Sequence, residues 1–291
     1  MNNWEHALLT KKQMFMNALQ YGCKAVKMHT LLFAKALLAI SVAFLLPAYA
    51  CMVVVMLTGS ALYMNVFYQQ ELALSAPLIM LLGFGALLVA ILIGTTAFAG
   101  ILRFFFELHD RGYAQIKTLF TGFGYVLRFI LFGILLGLLL GVVIGISLVL
   151  AELITMLGRA IQYDTSTLSL SVMIAFAVIV SLIVLMRLTY ALYTIVDSQS
   201  TVLHAVRYSA DLTKGFVLWL LLLHLMVYIP VNLLNMVLER VYSDNMPIIL
   251  DVLIFQLLPL FVGLVAIVIS LCARVRLYRL LQARRATMNV V

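Results

Sequence analysis

Six apolar runs, each 23 to 28 residues long, constrain the fold of this chain more than any other feature. They cover residues 31–58, 77–102, 126–150, 171–195, 216–238 and 248–272. Because an α-helix rises about 1.5 Å per residue, about 20 apolar residues cross the roughly 30 Å hydrocarbon core of a bilayer. Charged residues make up only 10% of the 291 positions, which leaves no segment with the composition of a soluble domain. The sequence therefore predicts an all-α integral membrane bundle of six transmembrane helices.

Positive charge is distributed unevenly between the two sides of this predicted bundle. Six crossings place both chain ends on one side, and Lys and Arg near helix ends stay in the cytoplasm. The N-terminal segment, the second and fourth connections and the tail hold fourteen cations: Lys11, Lys12, Lys24, Lys27, Arg103, Arg111, Lys117, Arg207, Lys214, Arg274, Arg276, Arg279, Arg284 and Arg285. The other three connections hold only Arg159 and Arg240. Both termini are therefore expected in the cytoplasm, where these cations indicate anionic lipid rather than nucleic acid as a partner.

The chain is predicted to contain three units, each a cytoplasmic amphipathic segment followed by an out-and-back pair of membrane helices. The units cover about residues 1–102, 103–196 and 197–273. As domains, we expect an amphipathic N-terminal segment, a six-helix membrane domain and a basic cytoplasmic tail, at residues 1–30, 31–273 and 274–291. This layout predicts short cytoplasmic helices between the crossings.

Two of the amphipathic segments carry start and end signals for such helices. In the third unit, four polar residues share one face of a predicted elbow helix: His204, Arg207, Asp211 and Lys214. In the second unit, Asp110 is expected to cap a short helix. Both segments end in Gly-Phe, at Gly122-Phe123 and Gly215-Phe216, which favours an internal repeat of layout.

The third apolar run carries glycines at a fixed spacing of four: Gly133, Gly137, Gly141 and Gly145. They lie along one helix face, and a face without side chains lets another helix backbone approach closely in a membrane. The second run repeats a small-residue spacing at Ala86, Ala90 and Gly94, so it is the expected neighbour, with a contact between chains as the alternative. We expect Gly137→Leu to abolish the folded protein or an oligomer.

The fifth run carries a stripe of polar residues within the predicted membrane: His224, Tyr228, Asn232, Asn235 and Glu239. Intervals of three and four place them on one helix face. Asp251 and Gln256, on the returning helix, are the expected cross-helix partners. An ionisable group in a membrane is a candidate for a proton or solute path. Hydrogen bonds that hold helices together are the favoured explanation, because His224 has no acidic partner at its own predicted depth.

The first run also imitates a secretory leader, because Lys35 and an apolar stretch precede Pro47 and the small residues at 48–50. Against cleavage, the leader is long and the apolar run continues from Cys51. We therefore expect an intact first membrane helix.

Motifs that carry reactive chemistry are absent from the sequence. It has no Gly-rich phosphate loop, no Gly-x-Ser-x-Gly and no His-Glu-x-x-His, and its three cysteines do not have zinc-ligand spacing. Glu107, His109, Asp110 and Arg111 form a cluster of acid, base and cation, whose simpler explanation is a solvated helix end. We expect no enzyme, no metal and no cofactor.

Two short stretches carry a family resemblance. One holds Ala205, Arg207, Tyr208, Ser209, Lys214 and Gly215, and the other covers residues 117–123. They resemble signatures of uncharacterised multi-pass bacterial membrane proteins, which are grouped with the membrane domain of some glycerophosphodiester phosphodiesterases. The resemblance implies a six-helix domain in a bacterial inner membrane. It does not imply phosphodiesterase activity, because this sequence has no counterpart of the soluble catalytic domain.

These observations favour a non-catalytic inner-membrane component that binds lipid or a partner protein in envelope assembly or homeostasis. A second copy of the chain is an alternative partner. The second hypothesis is a small carrier or channel for an amphiphile, anion or proton along the polar stripe. An enzyme that acts on lipid headgroups is the weakest class.

Overall fold

The computed structural model describes residues 10–68, 76–160, 166–241 and 258–288, and the regular structure in these ranges is helical. The α-helices are α1 (Lys11–Met28), α2 (Thr30–Ile40), α3 (Leu46–Tyr68), α4 (Ala76–Arg111), α5 (Val126–Ala160), α6 (Ser166–Leu188), α7 (Ala191–Ser198), α8 (Val202–Leu212), α9 (Val217–Val241) and α10 (Leu258–Met288). A π-helical segment, Ser41–Leu45, joins α2 to α3, and a 3₁₀ helix, Ile116–Tyr125, precedes α5.

Six helical segments in the described ranges are long and apolar enough to cross a membrane. They are Thr30–Ser60, Leu78–Arg111, Ile116–Leu157, Thr167–Ser198, Val217–Leu238 and Phe261–Thr287. Each overlaps one of the predicted apolar runs. The all-α class with six membrane-crossing helices is therefore confirmed.

The predicted basic tail is not a separate segment where the structure describes it. α10 continues without interruption past Cys272 to Met288. Its second half is held by packing, since Ala273, Val275, Leu277 and Tyr278 are fully buried. The hydropathy pattern predicted an end of the sixth helix that is too early. The arginines of this half lower the mean hydropathy, although its other residues continue the protein core.

The chain folds into two compact units. We name residues 1–23 and 128–291 the terminal unit, and residues 24–127 the central unit. The three predicted elbow-and-hairpin units describe layout along the sequence rather than compactness in space, and they remain a prediction.

The central unit is built around the close approach of the 3₁₀ helix to α4. A Cβ atom at Gly100 would overlap the backbone of Leu119, and one at Gly122 would overlap the backbone of Thr96. Glycine at both positions lets the two backbones touch. The Phe33 ring packs on the same end of α4, with its centroid 5.8 Å from that of Phe105.

The predicted helix cap at Asp110 is wrong. α4 continues through Arg111, and the chain leaves it at Gly112, whose φ of 76° lies in the left-handed region. The 3₁₀ helix then begins after Gln115, which has extended backbone and makes no side-chain cap. The helix runs past the aspartate because Gly112 is the first residue able to adopt the left-handed conformation without a Cβ penalty.

The terminal unit has its core around the second half of α10. The Tyr278 ring contacts the rings of Tyr190 and Tyr193, with centroids 5.4 and 5.9 Å away. Both of those tyrosines are almost fully buried at the start of α7. Offset and tilted aromatic contacts of this kind stabilise by about 0.5–1.5 kcal/mol per pair beyond their buried area.

Helix α1 packs against both α9 and α10 in the terminal unit. The Phe15 ring lies 5.3 Å from the Trp219 ring. A Cβ atom at Gly22 would come within 2.6 Å of the Ile269 carbonyl oxygen, so this glycine also permits a close helix crossing. The buried side of α1 therefore faces protein.

Candidate anion-binding site

The polar stripe on α9 bonds mainly to its own helix where its side chains are described. His224 Nδ1 lies 2.8 Å from the Leu220 carbonyl oxygen, and Asn232 Nδ2 donates to the Tyr228 carbonyl oxygen at 3.0 Å. The Tyr228 side chain is exposed and Asn235 is half-buried. Such local bonds satisfy polar groups without requiring a path for a solute.

The rest of the predicted stripe is not described at the level of side chains. Glu239 lies in the α9 backbone. Asp251 and Gln256 lie outside the described residues. The cross-helix contacts predicted for Asp251 and Gln256 therefore remain predictions.

The predicted elbow helix corresponds to α8 and the turn that follows it. His204, Arg207, Asp211 and Lys214 are all exposed. The opposite face packs inward, and Ser209 Oγ donates to the Arg187 carbonyl oxygen at 2.7 Å, which ties α8 to the end of α6. The four polar residues share the exposed side, and two of them, Asp211 and Lys214, also line a cavity.

This cavity has a volume of about 530 Å³. Its walls come from α1, the end of α8, the turn before α9 and the end of α10, and are formed by Lys11, Asp211, Leu212, Lys214, Phe216, Leu281, Arg284 and Arg285. Four cations and one carboxylate therefore face one space. A cavity of this size is typical of small-molecule sites.

Aromatic rings and one carboxylate contact three cations of the cavity: Lys11, Arg284 and Arg285. Lys11 Nζ and Arg284 Cζ each lie 5.6 Å from the centroid of the Phe216 ring. Arg285 lies 4.6 Å from the Tyr208 ring centroid, and its Nη2 is 3.2 Å from Asp211 Oδ2. Cation–π contacts of this kind orient side chains while leaving hydrogen-bond donors free for another acceptor.

Gly215 gives the Lys11 ammonium the room it occupies at the cavity rim. Its φ is 78°, and a Cβ atom there would lie 3.1 Å from Lys11 Nζ. A larger residue would be strained in this backbone conformation and would crowd the ammonium. The second Gly-Phe pair of the sequence thus supplies one residue of the cavity wall, Phe216, and the glycine beside the Lys11 ammonium.

Asp197 links α7 to the part of α10 that directly precedes the cavity arginines in the sequence. Its Oδ2 accepts hydrogen bonds from Arg279 Nη1 at 2.9 Å, Gln282 Nε2 at 3.1 Å and the Tyr278 hydroxyl at 3.2 Å. Three donors on one carboxylate oxygen fix the rotation of α10 against α7. That rotation in turn sets where the next helical turn presents Arg284 and Arg285.

A second cavity of about 540 Å³ in the terminal unit is almost wholly apolar. It lies where α1, α9 and α10 meet, beside Leu19, Cys23, Pro230, Phe261 and Val265. Its lining offers no charged side chain among the described residues. Lipid chains or apolar side chains suit such a surface, and it has no reactive group other than a thiol.

The acid–base cluster at the end of α4 is engaged in structural bonds. Glu107 Oε2 accepts from the Thr118 hydroxyl at 2.5 Å, and its Oε1 accepts from Arg111 Nη1 at 2.8 Å. His109 Nδ1 lies 3.0 Å from Asp110 Oδ1. Glu107 thus anchors the 3₁₀ helix to α4, which favours the simpler explanation of a helix end.

The glycine face of α5 is open in the part of the chain that the structure describes. A Cβ atom at any of four glycines would meet no atom within 4 Å: Gly133, Gly137, Gly141 and Gly145. These glycines therefore make no close contact within the described part of the terminal unit. Contact with a second chain remains a prediction.

Sequence reasoning did not identify the cavity. The sequence pointed to the residues of the cavity only for other reasons. Its cations Lys11, Arg284 and Arg285 predicted the topology, and Phe216 ended a repeat signal. The available signal was Lys11 on the otherwise apolar side of α1. A lysine there requires either water or an aromatic and anionic environment.

Comparisons with protein-family models, curated proteins and solved structures find no match to this chain.

Proposed function

We propose that this chain is a non-catalytic membrane protein that binds anionic lipid at the arginine-rich end of its terminal unit. We place it in a bacterial inner membrane with both termini in the cytoplasm and with a role in envelope assembly or homeostasis. The supporting observation is the convergence of Lys11, Lys214, Arg284 and Arg285 on one cavity. Lipid headgroups are the anions available at the end of a membrane-crossing helix.

Both stretches that resemble bacterial multi-pass membrane proteins have structural roles compatible with this proposal. Ser209 holds the end of α6, and Gly122 contacts α4 directly. Gly215 lies beside the ammonium of Lys11, which lines the basic cavity. We include membership of that group of proteins in the proposal. We do not include phosphodiesterase activity.

Lipid retention tests the proposed function. The protein would be extracted into native lipid particles and weighed by native mass spectrometry. We expect anionic lipid to remain bound, and to fall about tenfold when Arg284 and Arg285 are both replaced by Gln. Arg240→Gln is the control, because Arg240 is exposed and lies on the predicted opposite side.

Two results would contradict the proposal. If the protein retains only zwitterionic lipid, anionic lipid is not its ligand. If a stoichiometric protein partner is bound in place of lipid, the chain is a subunit of a complex. Flux of a proton or solute that His224→Leu abolishes while the folded yield survives would favour the carrier hypothesis instead.

A further inference from the structure

Two arginines of the cavity wall each carry a guanidinium nitrogen that the protein does not pair among the described residues. Nη1 of Arg284 and Nη1 of Arg285 are both buried without an acceptor among the described residues. A buried donor without a partner is destabilising, and more so when it is charged. Because Arg284 and Arg285 both line the cavity, a ligand there towards which their guanidinium groups turn would supply the missing acceptors.

The charge of the cavity indicates how negative that acceptor is. Lys11, Lys214, Arg284 and Arg285 carry four positive charges and Asp211 carries one negative charge, so the lining has a net formal charge of +3. Asp211 pairs with Arg285 through Nη2, which leaves three cations without a carboxylate from the lining. A singly charged anion would neutralise only part of this excess.

The donors are also more numerous than a phosphodiester can use. Two guanidinium groups and two ammonium groups line the cavity, and a diester has only two free oxygens and one charge. A phosphate monoester has three terminal oxygens and a charge of about −1.5 to −2 near neutral pH. Arginine binds such oxygens through two parallel N–H groups.

The beginning of α9 adds to this potential. α9 starts at Val217, directly after Phe216 of the cavity wall, and runs for 25 residues. The N-terminus of a helix carries a partial positive charge of about half an elementary unit. The helix end and the side chains therefore favour the same sign of ligand.

We propose that this cavity is a binding site for a phosphate monoester dianion, carried by a lipid or free in solution. The site rests on the proposed function in that it lies in the same arginine-rich end, and it adds a selectivity that general attraction to anionic lipid does not have. In this site Arg284 and Arg285 donate hydrogen bonds to the phosphate oxygens. Lys11 and Lys214 add positive charge at the rim of the cavity.

The test uses the full chain in nanodiscs of zwitterionic lipid that contain a small fraction of one anionic lipid. Phosphatidate supplies a monoester and phosphatidylglycerol a diester, and native mass spectrometry measures how much of each stays bound. In a parallel measurement, inorganic phosphate is added and the unfolding temperature is recorded. Competition between phosphate and phosphatidate shows whether both occupy one site.

We expect the wild-type chain to retain phosphatidate about tenfold over phosphatidylglycerol. Arg284→Gln should remove this preference, and Arg284→Lys should recover only part of it, because the charge is kept and the two-pronged donor is lost. Lys12→Gln is the matched control, since Lys12 is exposed and does not line the cavity. If Arg284→Gln does not fold, Lys214→Gln at the exposed rim takes its place.

The two sources of phosphate give different results, and both support the site. A preference for phosphatidate identifies a lipid. Stabilisation by inorganic phosphate that is lost in Arg284→Gln, without a lipid preference, identifies a free phosphate compound.

Other outcomes separate this site from the proposed function. Equal retention of both anionic lipids, reduced equally by Arg284→Gln and Lys12→Gln, overturns the cavity site and leaves the proposed function standing. Retention of neither lipid, with stabilisation by phosphate that needs Arg284, overturns the proposed function and leaves the site. No effect of any probe overturns both.

Discussion

Asp197 and Asp211 both contact arginines of α10, but their surroundings differ. The Asp197 side chain is 19% exposed and accepts three hydrogen bonds through one oxygen, whereas the Asp211 side chain is 66% exposed and, among the described residues, pairs with Arg285. Exposed ion pairs contribute about 0–1 kcal/mol. Hydrogen bonds from donors to a partly buried charge contribute about 1.5–3 kcal/mol.

Asp197→Asn should therefore destabilise the terminal unit more than Asp211→Asn. We expect the free energy of unfolding to fall by about 2 kcal/mol for Asp197→Asn and by less than about 1 kcal/mol for Asp211→Asn. Thermal unfolding of the detergent-purified variants measures the difference. Equal unfolding temperatures for the two variants would show that the bonds to Asp197 do not hold α7 on α10.

Gly100 and Gly94 lie on the same helix, α4, and give opposite predictions for one substitution. Replacing glycine by alanine inside a helix normally stabilises it by about 0.5–1 kcal/mol. Nothing among the described residues lies within 4 Å of a Cβ atom at Gly94, but one at Gly100 would overlap the Leu119 backbone. Backbone cannot move aside as a flexible side chain does.

We expect Gly94→Ala to leave the unfolding temperature unchanged or higher, and Gly100→Ala to lower it. Forced overpacking costs about 1–3 kcal/mol, which corresponds to a fall of several degrees. The two variants differ only in position, so expression and detergent effects cancel. A Gly100→Ala protein as stable as Gly94→Ala would remove the claimed contact between α4 and the 3₁₀ helix.

At the scale of elements, α5 has a glycine face that contacts nothing in the described part of its own unit. Its four spaced glycines are open among the described residues, although the sequence predicted a close helix pair there. The spacing of the glycines predicts which face of α5 is free of side chains, but not which helix packs on it. The same pattern occurs in contacts within a chain and between chains.

Gly137→Leu should therefore keep the folded yield of the wild-type chain and remove any oligomer formed in the membrane. Cross-linking in native membranes, followed by size analysis, measures the oligomer, and the yield of monodisperse protein measures folding. Leu138→Ala on the same helix is a control that leaves the glycine face intact. Loss of folded protein on Gly137→Leu would place the contact within one chain instead.

Helix ends were less predictable from sequence than helix cores. Hydropathy located all six crossings, because a side chain that faces lipid needs only to be apolar. It did not predict that α4 passes Asp110 or that α10 continues beyond Cys272. These ends depend on packing against other elements, as the buried Tyr278 and the Glu107–Thr118 bond show.

At the scale of the whole molecule, burial is concentrated toward helix ends within each unit. Between 6% and 39% of the most apolar window of each crossing is buried, whereas Leu102 near the end of α4 and Leu277 in the second half of α10 are fully buried. Lipid solvates apolar side chains as well as protein does, so mid-membrane residues gain little from mutual burial.

The candidate site was not predictable because its parts are distant in the sequence. Lys11, Lys214 and Arg284 come from three segments separated by about 200 and 70 positions. Their convergence depends on α1 packing along α9 and α10, which no local pattern encodes. The composition shows an excess of cations. Only the folded structure shows that four of them line one cavity.

The orientation of the chain decides which compounds reach that cavity, and the distribution of cations predicts that it opens toward the cytoplasm. In a chain whose three cysteines are replaced by Ser, we would introduce Lys12→Cys or Arg240→Cys, both at exposed positions. A membrane-impermeant maleimide should label Arg240→Cys in spheroplasts and label Lys12→Cys only after lysis. The reverse pattern would place the basic cavity outside the cytoplasm, where cytoplasmic phosphate compounds cannot bind it.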